Sequence, residues 1–171
     1  MDIADDFKDL EQACASLRAI AALPPEISEL RRPEISGWSA LEHVAHVSLA
    51  NELIVRNLDS LAAGQGPLLQ ESGEPIPLAL EVFASGVIPR GKAQSPRMVR
   101  PPARIDRELL ADWMSGAELG FARIAKSPEP ILRATARVPH QLLGPLTAVQ
   151  WVRFARVHTR HHLAIAYLVL G

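Results

Sequence analysis

Residues 39–64, SALEHVAHVSLANELIVRNLDSLAAG, decide the fold. Ser39 and Glu42 make a capping box: the hydroxyl accepts from the Glu42 amide, and the carboxylate reaches back to the Ser39 amide. Gly64 supplies a left-handed terminator after Ala63. Between them Leu41, Val44, Val47, Leu49, Leu53, Ile54, Leu58 and Leu61 cover much of the helix circumference. A helix apolar on so many sides is central and must touch several neighbours.

The neighbours are readable on either side. Ile3, Phe7, Leu10, Cys14, Leu17 and Ala21 fall in steps of four and three, one stripe of an amphipathic helix that Pro24-Pro25 stops. Leu110, Trp113, Ala117, Phe121 and Ile124 give a third helix over about 106–125, with Asp106 as N-cap. A second capping box, Thr147-Ala148-Val149-Gln150, opens a fourth that runs to the chain end, with Trp151, Phe154, Ala155, Ile165 and Leu168 on its apolar face. The connection 64–105 holds many prolines and glycines. It is expected to be loop, with a short helix near 78–84 opened by Pro77. A connection this long is either a crossover lying along the helices or a functional lid or partner surface. Residues 126–146 form another proline-bearing connection, with room for an extended piece at 133–138. The expectation is an all-α, four-helix bundle, one domain over residues 1–171, with a long crossover between its second and third helices.

Bulk properties narrow the function. The chain has 171 residues, 48% hydrophobic and 22% charged, enough apolar content for a real core. A net charge of −1 gives no basic surface for nucleic acid or an anionic membrane. No charge-free run is long enough to span a bilayer, and the acidic start, Met1-Asp2-Ile3-Ala4-Asp5-Asp6, is unlike a signal peptide. The single cysteine, Cys14, sits in the first apolar stripe as a small core residue, which fits a reducing cytoplasm. No glycine-rich phosphate loop occurs.

The histidines carry the chemistry. His158 and His162 are four apart, one above the other on a helix face. Two imidazoles so spaced can chelate one ion. Trp151, Ala155 and Ile165 share their direction, so the pair faces the core and needs partners there. The zincin glutamate is missing, since Thr159 follows His158. Spacing alone therefore leaves satisfied core histidines as the simpler reading. His46, on the second helix beside Leu49, Ala50 and Leu53, is the third candidate ligand. His43 is the alternative, about 60° away on the wheel. His161 lies at the rim, and His140, beside Pro139, is expected in solvent.

Two runs resemble one family. Gly37-Trp38-Ser39-Ala40-Leu41-Glu42-His43-Val44-Ala45-His46 is similar to the second-helix opening of the DinB/YfiT-like superfamily: a Trp-Ser cap, an acidic residue, and histidine eight after the tryptophan. The run Gly144-Pro145-Leu146-Thr147 through His158-Thr159-Arg160-His161-His162 resembles its last helix, with a His-x-x-His-His signature. The resemblance implies a bundle with a long crossover, often a homodimer, and a metal site at His46, His158 and His162. Many relatives carry glutamine three residues after the last histidine, where this chain has Ile165.

Three neutral imidazoles leave coordination positions open, the arrangement of catalytic rather than structural zinc. They suit zinc or nickel, with iron and copper also compatible. The ion would lower the pKa of bound water or thiol. The resemblance implies a metal-dependent thiol transferase or hydrolase acting on a small molecule, with a low-molecular-weight thiol as one partner. The other class is a non-catalytic metal-binding or stress-responsive dimerising module. Glu42, one turn before His46, is a candidate base, although the capping box alone accounts for it. Arg153, Arg156 and Arg160 flank the last-helix ligands, either holding an anionic substrate or lying solvated on the outer face. Trp38 is expected to fix the chain's approach to the second helix.

Overall fold

The structure is a computed structural model that describes residues 2–91 and 94–171. It is mostly helical, as expected. Four helices are long: α1 (Ile3–Ala21), α3 (Ala40–Ala63), α5 (Arg107–Lys126) and α7 (Ala148–Leu170). Short helices α2 (Pro25–Ser28), α4 (Pro77–Ser85) and α6 (Glu129–Arg133) lie in the connections. A 3-10 turn spans Arg97–Val99.

The ends of the long helices follow local chemistry. Both capping boxes form: Ser39 Oγ accepts from the Glu42 amide at 3.2 Å, and Thr147 Oγ1 accepts from Gln150 at 3.3 Å. Asp106 caps α5, and Gly64 closes α3 at φ 63, a backbone that favours glycine. Pro77 opens α4 at its first turn.

α1 packs on α7 and α5, α3 packs on the same two, and α1 also meets α3. α3 is central, with sixteen of its twenty-four residues buried. It lies close to α5 because a Cβ placed on Gly120 would come within 2.4 Å of Val55 Cγ1. One core cluster gathers Phe7, Leu58, Phe121, Trp151 and Val152; a second gathers Leu17, Leu41, Val44, Met114 and Ala166.

Two expectations change here. The extended piece expected at 133–138 starts one residue later, since Arg133 ends α6; Arg137 bridges to Gln70, and the chain runs on into an antiparallel pair of strands, β1 (Val138–His140) and β2 (Gly144–Leu146). The Trp151 indole donates to the Val138 carbonyl at 3.1 Å, tying this hairpin to α7. Arg153 and Arg156 of α7 do not stand solvated, while Arg160 is exposed but still paired. Arg156 Nε lies 2.7 Å from the fully buried Asp6 carboxylate, Arg153 Nη2 donates to it at 3.0 Å, and Arg160 reaches Asp9 at 2.9 Å. They lock α1 to α7. Of the 64–105 connection, residues 92 and 93 lie outside the described residues. Of the remainder, α4 packs on α7 with Ala79 and Val82 buried, the 3-10 turn packs on α3 with Val99 buried, and most other residues are exposed. No described helix is long and apolar enough to cross a membrane.

Candidate metal centre

Helices α3 and α7 face each other along their length, and three histidines meet between them. His46, His158 and His162 each offer one ring nitrogen, and these atoms lie within 4.8 Å of one another. His46 Nε2 is 3.1 Å from His158 Nε2. Two ligands on a tetrahedral ion with bonds of about 2.0–2.1 Å stand about 3.3 Å apart, so this edge is already near coordination size.

Tautomers can be assigned from partners. His46 Nδ1–H donates to the Val99 carbonyl at 2.7 Å, since a carbonyl only accepts. Its Nε2 is then a bare lone pair aimed at His158. Two bare nitrogens at 3.1 Å would repel, so a proton or a cation must lie between them. His158 Nδ1 is buried without a hydrogen-bond partner among the described residues. With Nε2 turned to a cation, His158 would carry its proton on that Nδ1, for which the described residues offer no acceptor. What a cation would relieve is the facing of the His46 and His158 lone pairs at 3.1 Å.

Burial sets the charge state. It holds His158 and His162 well below the ordinary histidine range, and each is pushed further by neighbouring histidines. His46 is also lowered by burial, partly opposed by its bond to Val99. All three rings are neutral at pH 7 and present lone pairs, as metal ligands must.

The surroundings were less legible. His43, set aside in favour of His46, is 3% exposed and joins the cluster: its Nδ1 is 2.9 Å from His162 Nδ1, and its Nε2 is 2.9 Å from Ser36 Oγ. Burial first, then His46, His161 and Arg90, push its pKa down to about 4. Trp38 does more than lead into α3. Its ring lies 5.4 Å from His43, 5.0 Å from His46 and 6.3 Å from His162, walling one side of the site. Phe154 stacks on His158 at 5.1 Å. His161 is half-buried at the rim, against His162.

Glu42 faces elsewhere. One oxygen accepts from the Ser39 amide and the other pairs with Arg31. One is committed to the cap and the other to Arg31, so these contacts lend no support to Glu42 as a base. Thr159, in place of a zincin glutamate, is fully buried and accepts from Asn51 at 3.1 Å. His140 is not in solvent: its ring packs on Phe154 at 4.4 Å, its Nδ1 accepts from the Leu142 and Leu143 amides, and burial lowers its pKa to about 4. Cys14 is buried, and desolvation raises its thiol to about 12, which suits a core residue and not a nucleophile.

Comparison with known proteins adds no relative. No family model matches the chain, and neither the curated proteins nor the solved structures compared with it include a match.

Proposed function

We propose that this chain is a four-helix bundle of the DinB/YfiT-like type that binds one divalent ion through His46, His158 and His162 and uses it on a small-molecule substrate. The observation that carries the reading is the convergence of three neutral imidazoles from two helices within 4.8 Å. Zinc and nickel suit this donor set best, with iron a third candidate. A bound ion would supply Lewis acidity, lowering the pKa of a water or thiol in the position the three histidines leave open. The protein's own residues do the rest. Val99 holds the His46 ring in the tautomer that exposes Nε2. Trp38 and Phe154 flank the rings and limit their rotation. The reaction class proposed is thiol transfer or hydrolysis, in a cytoplasmic setting.

A second reading is favoured by the depth of the cluster. With His43 and His46 at 3% and 2% exposure, an ion there would stabilise the fold whether or not turnover occurs. On that reading the chain is a metal-binding, dimerising module.

The test is elemental analysis of protein purified without a polyhistidine tag, followed by chelation. About one ion per chain is expected, and its absence sinks the metal reading. Chelated protein that stays folded but loses activity on a thiol conjugate or an ester supports the enzyme. Chelation that melts a dimer, with no turnover in the loaded form, supports the module.

A further inference from the structure

We infer that His43, anchored by Ser36, is a positioning residue that holds His162 in the tautomer able to bind the ion. The inference rests on the metal reading above and extends it to two residues outside the ligand set. A histidine that binds a metal through one nitrogen carries its proton on the other, and that N–H needs an acceptor. For His46 the acceptor is the Val99 carbonyl, and for His158 the described residues supply none. For His162 the described hydrogen bonds supply one neighbour, Nδ1 of His43 at 2.9 Å.

A second imidazole is an ambiguous partner, because each ring can donate or accept. Two proton arrangements satisfy the contacts. In one, His162 Nδ1–H donates to His43 Nδ1, His43 Nε2–H donates to Ser36 Oγ, and His162 Nε2 is bare. In the other, the Ser36 hydroxyl donates to His43 Nε2, His43 Nδ1–H donates to His162 Nδ1, and the proton of His162 sits on Nε2, the nitrogen left for an ion once Nδ1 is engaged by His43. Only the first admits a cation. Both hold the same number of protons, so a bound cation selects the first, provided Ser36 can accept from His43.

Ser36 has room to accept: the Trp38 amide takes one lone pair of Oγ, the second is left for His43, and the hydroxyl proton of this half-buried residue can turn to solvent. Its amide bonds to the Arg32 carbonyl at 2.9 Å, which fixes the turn. Its Oγ already takes the Trp38 amide at 3.1 Å, and the His43 ring stands 2.9 Å away. The loop before α3 thus places an oxygen where the His43 Nε2–H can end. Trp38, in the same loop, packs against the His43 ring. The loop, His43 and His162 form one hydrogen-bonded line running from outside α3 to the ligand.

The test measures zinc or nickel affinity by calorimetry on the full chain for four proteins: wild type, His43→Leu, His43→Asn and Ser36→Ala. His43→Leu keeps bulk and removes the acceptor; affinity should fall about 10–100-fold, the usual loss when a ligand's outer partner is removed. His43→Asn is smaller and more polar but puts Oδ1 at the position of Nδ1, so it should retain most of the affinity. Ser36→Ala should weaken binding severalfold with the ring still present. A packing role reverses the first two, since leucine fills the buried space better than asparagine. Far-UV circular dichroism of the metal-free variants checks that each folds; if His43→Leu does not, Asn against wild type and Ser36→Ala decide. Wild-type affinity in His43→Leu or Ser36→Ala overturns this inference alone. No binding by the wild type overturns it together with the metal reading.

Discussion

Replacing His46 with leucine tests the metal centre where its geometry is tightest. The ring is 2% exposed, its Nδ1–H is bonded to Val99 at 2.7 Å, and its Nε2 is 3.1 Å from His158. In metal-free protein the substitution strands the Val99 carbonyl and the facing nitrogen of His158, each costing about 1–3 kcal/mol. The buried leucine side chain offsets about 1.5–3 kcal/mol of that loss. The metal-free fold should therefore survive with modest loss. The linked stability behaves differently. Wild type with free metal at about 100 times its Kd gains about 2.7 kcal/mol. For a domain of this size that is a Tm rise of about 5–11 °C. Removing even an outer partner of a ligand lowers affinity up to about 100-fold, so removing a ligand lowers it at least that far. The same metal concentration then sits near or below the variant's Kd, leaving at most about 0.4 kcal/mol, a shift near 1 °C. Differential scanning fluorimetry of both proteins, with and without zinc or nickel, reads this directly. An equal metal-induced shift in His46→Leu, or none in wild type, refutes the assignment.

Three further outcomes follow from contacts outside the ligand set. Asp6→Ala removes a fully buried carboxylate 2.7 Å from Arg156, whose side chain is 12% exposed and is left with its 3.4 Å contact to Asp9; urea unfolding should show a loss of about 3 kcal/mol. Gly120→Ala gains helix propensity but sets a Cβ 2.4 Å from Val55, so it should destabilise by about 1–3 kcal/mol, and adding Val55→Ala should restore part of that; a stabilised single variant refutes the close approach of α3 and α5. Burial lowers His140 from 6.5 to about 4, so the unfolded chain takes up this proton first on acidification. Its contribution is complete above pH 6.5 and is lost as pH falls toward 4, at up to about 1.4 kcal/mol per pH unit. His140→Asn keeps an acceptor for the Leu142 and Leu143 amides and should flatten that slope in metal-free unfolding curves; an unchanged slope refutes the burial argument.

The sequence by itself determined the four long helices and the short α4. Steps of three and four, two capping boxes, Pro77 and Gly64 are local signals, because a helix satisfies its backbone within four residues of each position. The same locality exposed His158 and His162 as a pair, and the run from Trp38 to His46 singled out His46. What lay beyond that reach was decided by tertiary packing. Arg153, Arg156 and Arg160 read as solvated because their partners, Asp6 and Asp9, are nearly the whole chain away on α1. His43 stands about 60° from His46 on the wheel, and only the placement of α7 turns it toward His162. Val99 reaches His46 through a main-chain carbonyl, which every residue possesses and no side chain announces. His140 is buried by a hairpin whose docking depends on Trp151 and Phe154 rather than on its own neighbours. The candidate ligands were legible in the sequence, His158 and His162 by their helical spacing and His46 by the resemblance. The hydrogen bonds that orient those ligands come from groups brought near only when separate helices and loops pack together, since hydrogen bonds act over about 3 Å of space and not along the chain.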